Sequence, residues 1–154
     1  MKLSLWIALA AVCLVAADPQ ADADKAKRES RERRNLQRWQ GTFEAVSIVV
    51  DGKVTPPEQL KNRKLTVKGN KYKFENGDFQ ETGSYKWDVM KEPREVDIVV
   101  ESGPDKGKVW TAIYSTSEQG LMICLDKDNK KRPTATVALP GSNVINEVWK
   151  KVSK

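Results

Sequence analysis

The side chains in this sequence that are best suited to chemistry are aromatic. Tryptophan, tyrosine and phenylalanine offer large apolar surfaces, and the first two add a polar group that can form hydrogen bonds. The members that fall in candidate β-strands and could form the wall of a cavity are Phe74, Tyr85, Trp87, Trp110 and Tyr114. Such a wall is suited to a small apolar or amphiphilic ligand, although the same side chains also serve as ordinary core.

Catalytic chemistry has few candidates. The sequence contains no histidine, so the commonest general base is missing and nucleophilic sites of the Ser-His-Asp and Cys-His types are excluded. No glycine-rich phosphate loop follows a strand and opens a helix, which removes the nucleotide-binding motifs. We therefore expect a non-enzymatic protein with no catalytic residue, no metal and no cofactor.

Two close pairs of carboxylates could bind calcium weakly or serve in glycoside chemistry. They are Glu95 with Asp97 and Asp126 with Asp128. The segment from Asp126 to Asn129 lacks the glycine and the terminal glutamate of a calcium loop. We therefore interpret it as a solvated turn.

The first 17 residues are typical of a secretory signal. Lys2 is followed by an apolar run from Leu3 to Ala16, and Val15-Ala16-Ala17 forms a small-residue cleavage site. The run is short for a membrane span, so we expect an exported chain without a transmembrane span after cleavage, in the periplasm, on the cell surface or secreted. Lipid attachment at Cys13 and an uncleaved anchor remain open.

Cleavage would leave Cys124 as the only cysteine, so no disulfide can form within the mature chain. Cys124 lies in the apolar run from Leu121 to Leu125. We expect a small buried hydrophobe rather than a reactive thiol, since no histidine is present to activate it.

Residues 18–38 form a charged linker. From residue 25 onward this segment carries seven Lys or Arg residues against Glu29 and Glu32. Because it has little apolar surface to bury, it is either disordered or a solvated helix. It serves either as a solubilising spacer or as a means of adhesion to an anionic surface. Leu36 and Trp39 are expected to pack under one end of the following domain.

Residues 39–154 contain short strands separated by turn signals at intervals of roughly ten residues, the spacing of antiparallel all-β folds. The first strand ends at the turn Asp51-Gly52, where glycine accepts positive φ. We predict a monomeric, all-β, eight-stranded up-and-down barrel, with its strands near residues 43–50, 63–68, 71–75, 80–87, 95–101, 108–115, 121–126 and 144–152. A barrel of about eight strands is filled by side chains or holds one small ligand.

This chain resembles a lipocalin-like exported domain that is found in many copies in planctomycete-type bacteria, a family without an assigned reaction or ligand. The resemblance rests on Gly41-Thr42-Phe43, which is similar to the Gly-X-Trp entry of lipocalin barrels, and on the segments Val50–Lys53, Leu65–Gly69, Gly103–Lys108, Ala112–Tyr114, Leu121–Leu125 and Arg132-Pro133. It implies that Lys150 or Lys151 lies over Phe43 or Trp39. Arg132 is expected to pair with Asp97 or Glu101, or to face an acidic group of a ligand.

Two functions follow from these patterns. The first is a binding module for a small apolar or amphiphilic ligand. The second is a structural or interaction domain with a filled barrel, which engages an anionic envelope component through its surface or basic tail. Nucleic acid is not expected as a partner, because Trp and Tyr show no spacing with Lys or Arg that would form a stacking platform.

Overall fold

The computed structural model describes residues 19–153. One helix, α1 (Pro19–Trp39), precedes nine strands. The strands are β1 (Gly41–Val50), β2 (Lys53–Val54), β3 (Arg63–Lys68), β4 (Lys71–Asn76), β5 (Phe79–Asp88), β6 (Arg94–Ser102), β7 (Val109–Thr116), β8 (Gly120–Asp126) and β9 (Val144–Ser153). The predicted secretory signal, residues 1–17, lies outside the described residues. Within residues 19–153, no helix has the length and the apolar character needed to cross a bilayer.

Eight of the strands form a closed antiparallel barrel, which confirms the predicted fold class. Each strand from β3 to β9 pairs with its neighbour in sequence, and β1 pairs with both β3 and β9. The pairing of β1 with β9 runs from Thr42 opposite Ser153 to Val50 opposite Ile145. It covers the two edges that an open sheet would leave exposed.

The two-residue strand β2 was not predicted. Asp51 and Gly52 both have positive φ, 50° and 78°, and form a tight turn that brings Lys53 opposite Val50. The chain then passes through a short 3₁₀ helix, Pro57–Gln59, before β3 begins. The turn predicted at Asp51-Gly52 is therefore present, and the long connection follows it.

The apolar side chains that alternate along the strands fill the barrel interior. This core includes Phe43 from β1, Val96 from β6 and Tyr114 from β7, each at most 2% exposed. Lys151 Nζ lies 5.2 Å from the centre of the Phe43 ring. The contact that the family resemblance implied between a basic residue of the last strand and the entry aromatic is therefore present.

Helix α1 closes one end of the barrel. It is polar along most of its length, and its buried residues are Asn35 and Trp39, which lie four residues apart on one face. Trp39 is completely buried, with its ring centroid 4.6 Å from that of Tyr85 and 5.3 Å from that of Tyr114. Leu36 is 42% exposed; the expectation that it packs under the barrel was wrong, because it lies on a different side of the helix.

The connection between β8 and β9, residues 127–143, lies against the outside of the barrel. Asn146 Nδ2 donates to the Thr136 carbonyl in this connection and, at 3.2 Å, to Cys124 Sγ. Cys124 is completely buried, as predicted, and burial raises the pKa of its thiol to about 11. It is therefore a structural residue rather than a reactive thiol.

Arg132 anchors the same connection. Its Nη1 donates to the carbonyls of Val96 and Ala112, and its guanidinium pairs with Asp97 and, at 3.4 Å, with Glu95. The predicted partner Asp97 is thus present. Because the guanidinium is occupied by the barrel wall, Arg132 holds the connection in place.

Asp126 organises the start of this connection. Its carboxylate accepts backbone N–H groups from Asp128, Lys130 and Lys131, and the side-chain amide of Asn143. Burial alone would raise the pKa of Asp126, but these donors outweigh it and hold the pKa below its usual value. No group of acidic or cysteine side chains within residues 19–153 has the geometry to hold a metal ion.

Replacing Trp39 by Ala tests the role of α1 in the fold. We expect the free energy of unfolding to fall by about 3–5 kcal/mol, because the barrel end loses its largest buried side chain. Leu36→Ala on the same helix should change it by no more than about 0.5 kcal/mol. Urea denaturation followed by circular dichroism measures both; equal effects of the two substitutions would show that α1 does not close the barrel.

Replacing Asp126 by Asn should destabilise the protein by about 1–3 kcal/mol at neutral pH, because a charged acceptor of several donors is lost. A lowered pKa means that this stabilisation is present above the unfolded value of about 4 and is lost as the pH falls through the folded pKa. The difference in melting temperature from wild type should therefore shrink below about pH 4. Asp128→Asn serves as the control, and a difference that does not change with pH would contradict this account.

Candidate functional site

The barrel is open at the end opposite α1. Antiparallel strands place successive turns at alternate ends, so the turns after β4 and β6 lie away from the helix. A cavity of about 250 Å³ opens between these turns. Its wall consists mainly of aromatic and aliphatic side chains: Tyr72, Phe74, Phe79, Tyr85, Trp110 and Trp149, with Leu65, Ile98, Ile123 and Leu125.

Three of the five aromatic residues that the sequence suggested as a ligand wall line this cavity. They are Phe74, Tyr85 and Trp110. The other two, Trp87 and Tyr114, lie at the closed end, where the ring centroid of Trp87 is 5.5 Å from that of Trp39. The closed end of the barrel is therefore an aromatic core, and the open end carries the cavity.

Gly83 shapes the wall beside the floor of the cavity. A Cβ atom at this position would lie 2.6 Å from the ring of Tyr72, so only glycine lets that ring approach the strand. Tyr72 then stacks on Tyr85, with centroids 4.8 Å apart and planes inclined by 28°. Tyr85 in turn contacts Trp39 and separates the cavity from the closed end.

The entry motif Gly41-Thr42-Phe43 lies at the end that α1 closes. Gly41 has a φ of 116°, which suits glycine and lets the chain turn directly from Trp39 into β1. Phe43 is completely buried, and Thr42 pairs with Thr66 of β3. These three residues thus contribute to the closure of the barrel and not to the cavity.

Three carboxylates lie among the apolar residues of the cavity: Glu81, Asp105 and Glu147. Tyr72 donates its hydroxyl hydrogen to Glu81 at 2.8 Å, and Trp149 donates its indole N–H to Glu147 at 3.1 Å. Asp105 pairs with Lys108 at 2.7 Å. In the part of the chain that the structure describes, neither Glu81 nor Glu147 has a basic side chain within ion-pair distance.

Burial raises the pKa of both unpaired carboxyl groups. For Glu147 the desolvation outweighs the Trp149 hydrogen bond and the more distant charge of Arg63. For Glu81 it outweighs the hydrogen bond from Tyr72. The cavity therefore places acidic groups in an aromatic setting where their negative charge is poorly compensated, and where a cation or a strong hydrogen-bond donor would be stabilised.

These carboxylates did not stand out in the sequence, although the alternation of the strands contains the signal. Glu81 is followed at intervals of two residues by Gly83, Tyr85 and Trp87, so all four lie on the same face of their strand. Glu147 lies on the same face of its strand as Trp149. The carboxylate pairs that did stand out lie elsewhere: Asp97 and Glu95 pair with Arg132, and Asp126 accepts backbone groups. The strand face on which a carboxylate lies therefore predicts its place in the cavity better than its closeness in sequence to another carboxylate does.

A second depression, of about 850 Å³, lies on the outside of the barrel. It runs along the turn between β7 and β8 and along β9, and includes Val46, Met122 and Lys150. Its lining is a mixture of polar and apolar residues on the outer face of the barrel. The cavity at the open end of the barrel is the better candidate site, because its aromatic wall and its carboxylates surround one space.

Comparisons with protein-family models, with curated proteins and with solved structures found no match.

The partly buried side chain of Glu147 leads to a prediction about how stability depends on pH. Because its pKa is raised in the folded state, the folded protein is most stable when Glu147 is protonated, and stability falls as the pH rises above the unfolded value of about 4.5. Glu147→Gln keeps the acceptor for Trp149 and removes the charge. Its melting temperature at neutral pH should exceed that of wild type by ~2–4 °C.

The gain from Glu147→Gln should disappear as the pH is lowered to about 4, where the wild-type side chain is protonated as well. Glu44→Gln, at an exposed position of β1, is the control and should show no such pH-dependent gain. Calorimetry across this pH range measures both variants. A Glu147→Gln protein less stable than wild type at neutral pH would contradict the assignment of an uncompensated charge.

Proposed function

We propose that the protein is an exported, non-enzymatic binding module whose barrel cavity holds one small amphiphilic ligand. The observation that carries this proposal is the combination, in one cavity of about 250 Å³, of an aromatic wall with two carboxylates that have no basic side chain within ion-pair distance among residues 19–153. Ligand cavities in proteins are typically apolar with a few convergent polar groups.

The wall of the cavity is suited to the apolar part of such a ligand. Phe74 contacts Phe79 and Trp149 edge to face, with centroids 5.9 and 6.0 Å apart. Phe79 is 37% exposed, so part of this aromatic surface is accessible to solvent. Burial of an alkyl chain against them is favourable by about 25 cal/mol per Å² of apolar surface removed from water.

The carboxylates determine the polar part. A ligand with a primary amine would place a positive charge near Glu81 and Glu147, where burial disfavours an isolated negative charge. It would also meet the faces of aromatic rings, which attract cations. We therefore expect a cationic amphiphile to bind more tightly than a neutral or an anionic one.

Fluorescence titration with octylamine, octanol and octanoate tests this function. Trp110 and Trp149 line the cavity and should report occupancy. We expect saturable binding that is strongest for octylamine, with octanoate weaker by about tenfold or more, the effect of roughly 1.4 kcal/mol. If none of the three compounds changes the fluorescence, the proposed ligand-binding function is wrong. If octanoate binds most tightly, the proposed role of the carboxylates is wrong.

A matched pair of substitutions on β6 locates the binding. Ile98 lines the cavity, whereas Val99 points to the opposite face of the same strand. Ile98→Phe should fill part of the cavity and weaken octylamine binding by about tenfold, and Val99→Phe should leave it unchanged. Equal affinities of the two variants would place the ligand outside the barrel.

One observation favours the second candidate function, contact with an anionic envelope component through the basic segment. Residues 25–38 lie within α1, and two of their arginines bond to main-chain carbonyls of the barrel domain. Their positive charge is therefore held in place against the barrel. The two functions are compatible, because α1 and the cavity lie at opposite ends.

A further inference from the structure

A cleft of about 250 Å³ lies between α1 and the end of the barrel that this helix closes. Arginines dominate its lining: Arg31, Arg34 and Arg38 come from α1, and Arg94 comes from the start of β6. The other lining residues are Asn35, Val89 and Glu92. The cleft is separate from the barrel cavity and at the opposite end of the molecule.

Three of the guanidinium groups are held by neutral partners. Arg31 donates to the Val89 carbonyl at 3.3 Å, and Arg38 donates to the Thr116 carbonyl at 3.4 Å. Arg94 donates to the Thr116 hydroxyl at 3.3 Å and lies 5.3 Å from the centre of the Tyr114 ring. These contacts orient the groups but leave their charge uncompensated.

No carboxylate of residues 19–153 lies within ion-pair distance of any of the four arginines. Glu92 is the one acidic side chain in the lining, so positive charge is in clear excess there. The side chain of Arg34 makes no hydrogen bond or ion pair with the described part of the chain. Its guanidinium is therefore available to a ligand.

Asn35 adds a hydrogen-bonding side chain to the lining of the cleft. Asn35 is only 2% exposed, and its side-chain oxygen accepts the hydroxyl hydrogen of Tyr114 at 2.8 Å. Its amide nitrogen has no acceptor among residues 19–153. Because Asn35 lines the cleft, its amide nitrogen is a further hydrogen-bond donor for an anion that binds there.

We propose that this cleft binds a phosphate group, either as a free ion or as the headgroup of a phospholipid. Guanidinium groups match phosphate oxygens in pairs of parallel hydrogen bonds. A multiply charged tetrahedral anion balances several arginines better than a single carboxylate would. The proposal rests on the second candidate function, contact with an anionic component through α1, and gives it a defined site.

Isothermal titration with inorganic pyrophosphate at low salt tests the cleft, using two adjacent positions of α1. Arg34 lines the cleft, whereas Arg33 does not, and helical geometry turns it to the opposite side. Both residues are exposed and both substitutions remove one charge. We expect Arg34→Gln to weaken binding by about tenfold and Arg33→Gln by less than about twofold.

The outcomes separate the two proposals. Equal weakening by Arg34→Gln and Arg33→Gln would overturn the cleft while leaving α1 as a diffuse basic surface. No binding of pyrophosphate by the wild-type protein, together with no binding to anionic vesicles, would overturn both. Because the Arg34 side chain makes no hydrogen bond or ion pair with residues 19–153, we expect its variant to stay folded, and thermal melting of both variants checks this.

A second experiment shows whether the bound phosphate group belongs to a free ion or to a phospholipid headgroup. Phosphatidylcholine vesicles with and without phosphatidylglycerol are sedimented with each variant. If a headgroup is the ligand, binding to the anionic vesicles falls for Arg34→Gln and is retained for Arg33→Gln. If a free ion is the ligand, the pyrophosphate difference is present and the vesicle difference is not.

Discussion

The insertion of Trp39 into one end of the barrel is the contact on which the rest of the structure depends. An eight-stranded barrel has room for side chains or for a small ligand, and one large indole at one end determines which half is filled. Its ring is completely buried and contacts Tyr85, Trp87 and Tyr114. The remaining space is left at the other end. The same insertion fixes the last turns of α1, so that the arginine side of the helix lies along the barrel rim.

The residues at the open end of the barrel are not those expected if they served only to pack the core. If packing alone governed it, apolar side chains in place of Glu81 and Glu147 would serve better, since burial raises the pKa of both carboxyl groups and their charged forms are disfavoured. Asp126 shows the opposite case. Its carboxylate is surrounded by four donors that lower its pKa, as expected of a group retained for stability. Carboxylates with raised pKa values inside a cavity are more characteristic of functional sites.

The alternation of side chains predicted the barrel well. Every strand of the closed barrel lies within a few residues of its expected position, because turn residues such as Gly69-Asn70 and Asn76-Gly77 mark the ends and period-two patterns mark the strands. The sequence did not show which aromatic residues belong to the closed, packed end of the barrel and which line the cavity at the open end. Trp87 and Trp110 have similar local patterns, and only the position of Trp39 at one end places the first in the core and the second at the cavity.

The arginine side of α1 escaped sequence analysis for a related reason. Seven basic residues in a polar segment are typical of a solvated spacer, and their sequence does not reveal which of them face the barrel. In the structure, the buried residues Asn35 and Trp39 mark the side of α1 that faces the barrel. Arg31 and Arg38 lie on that same side of the helix. The molecule consequently has an acidic, aromatic opening at one end and a basic cleft at the other. An anion held by α1 would leave the opening of the barrel unobstructed, so that a protein attached through its helix could still take up a ligand from solution.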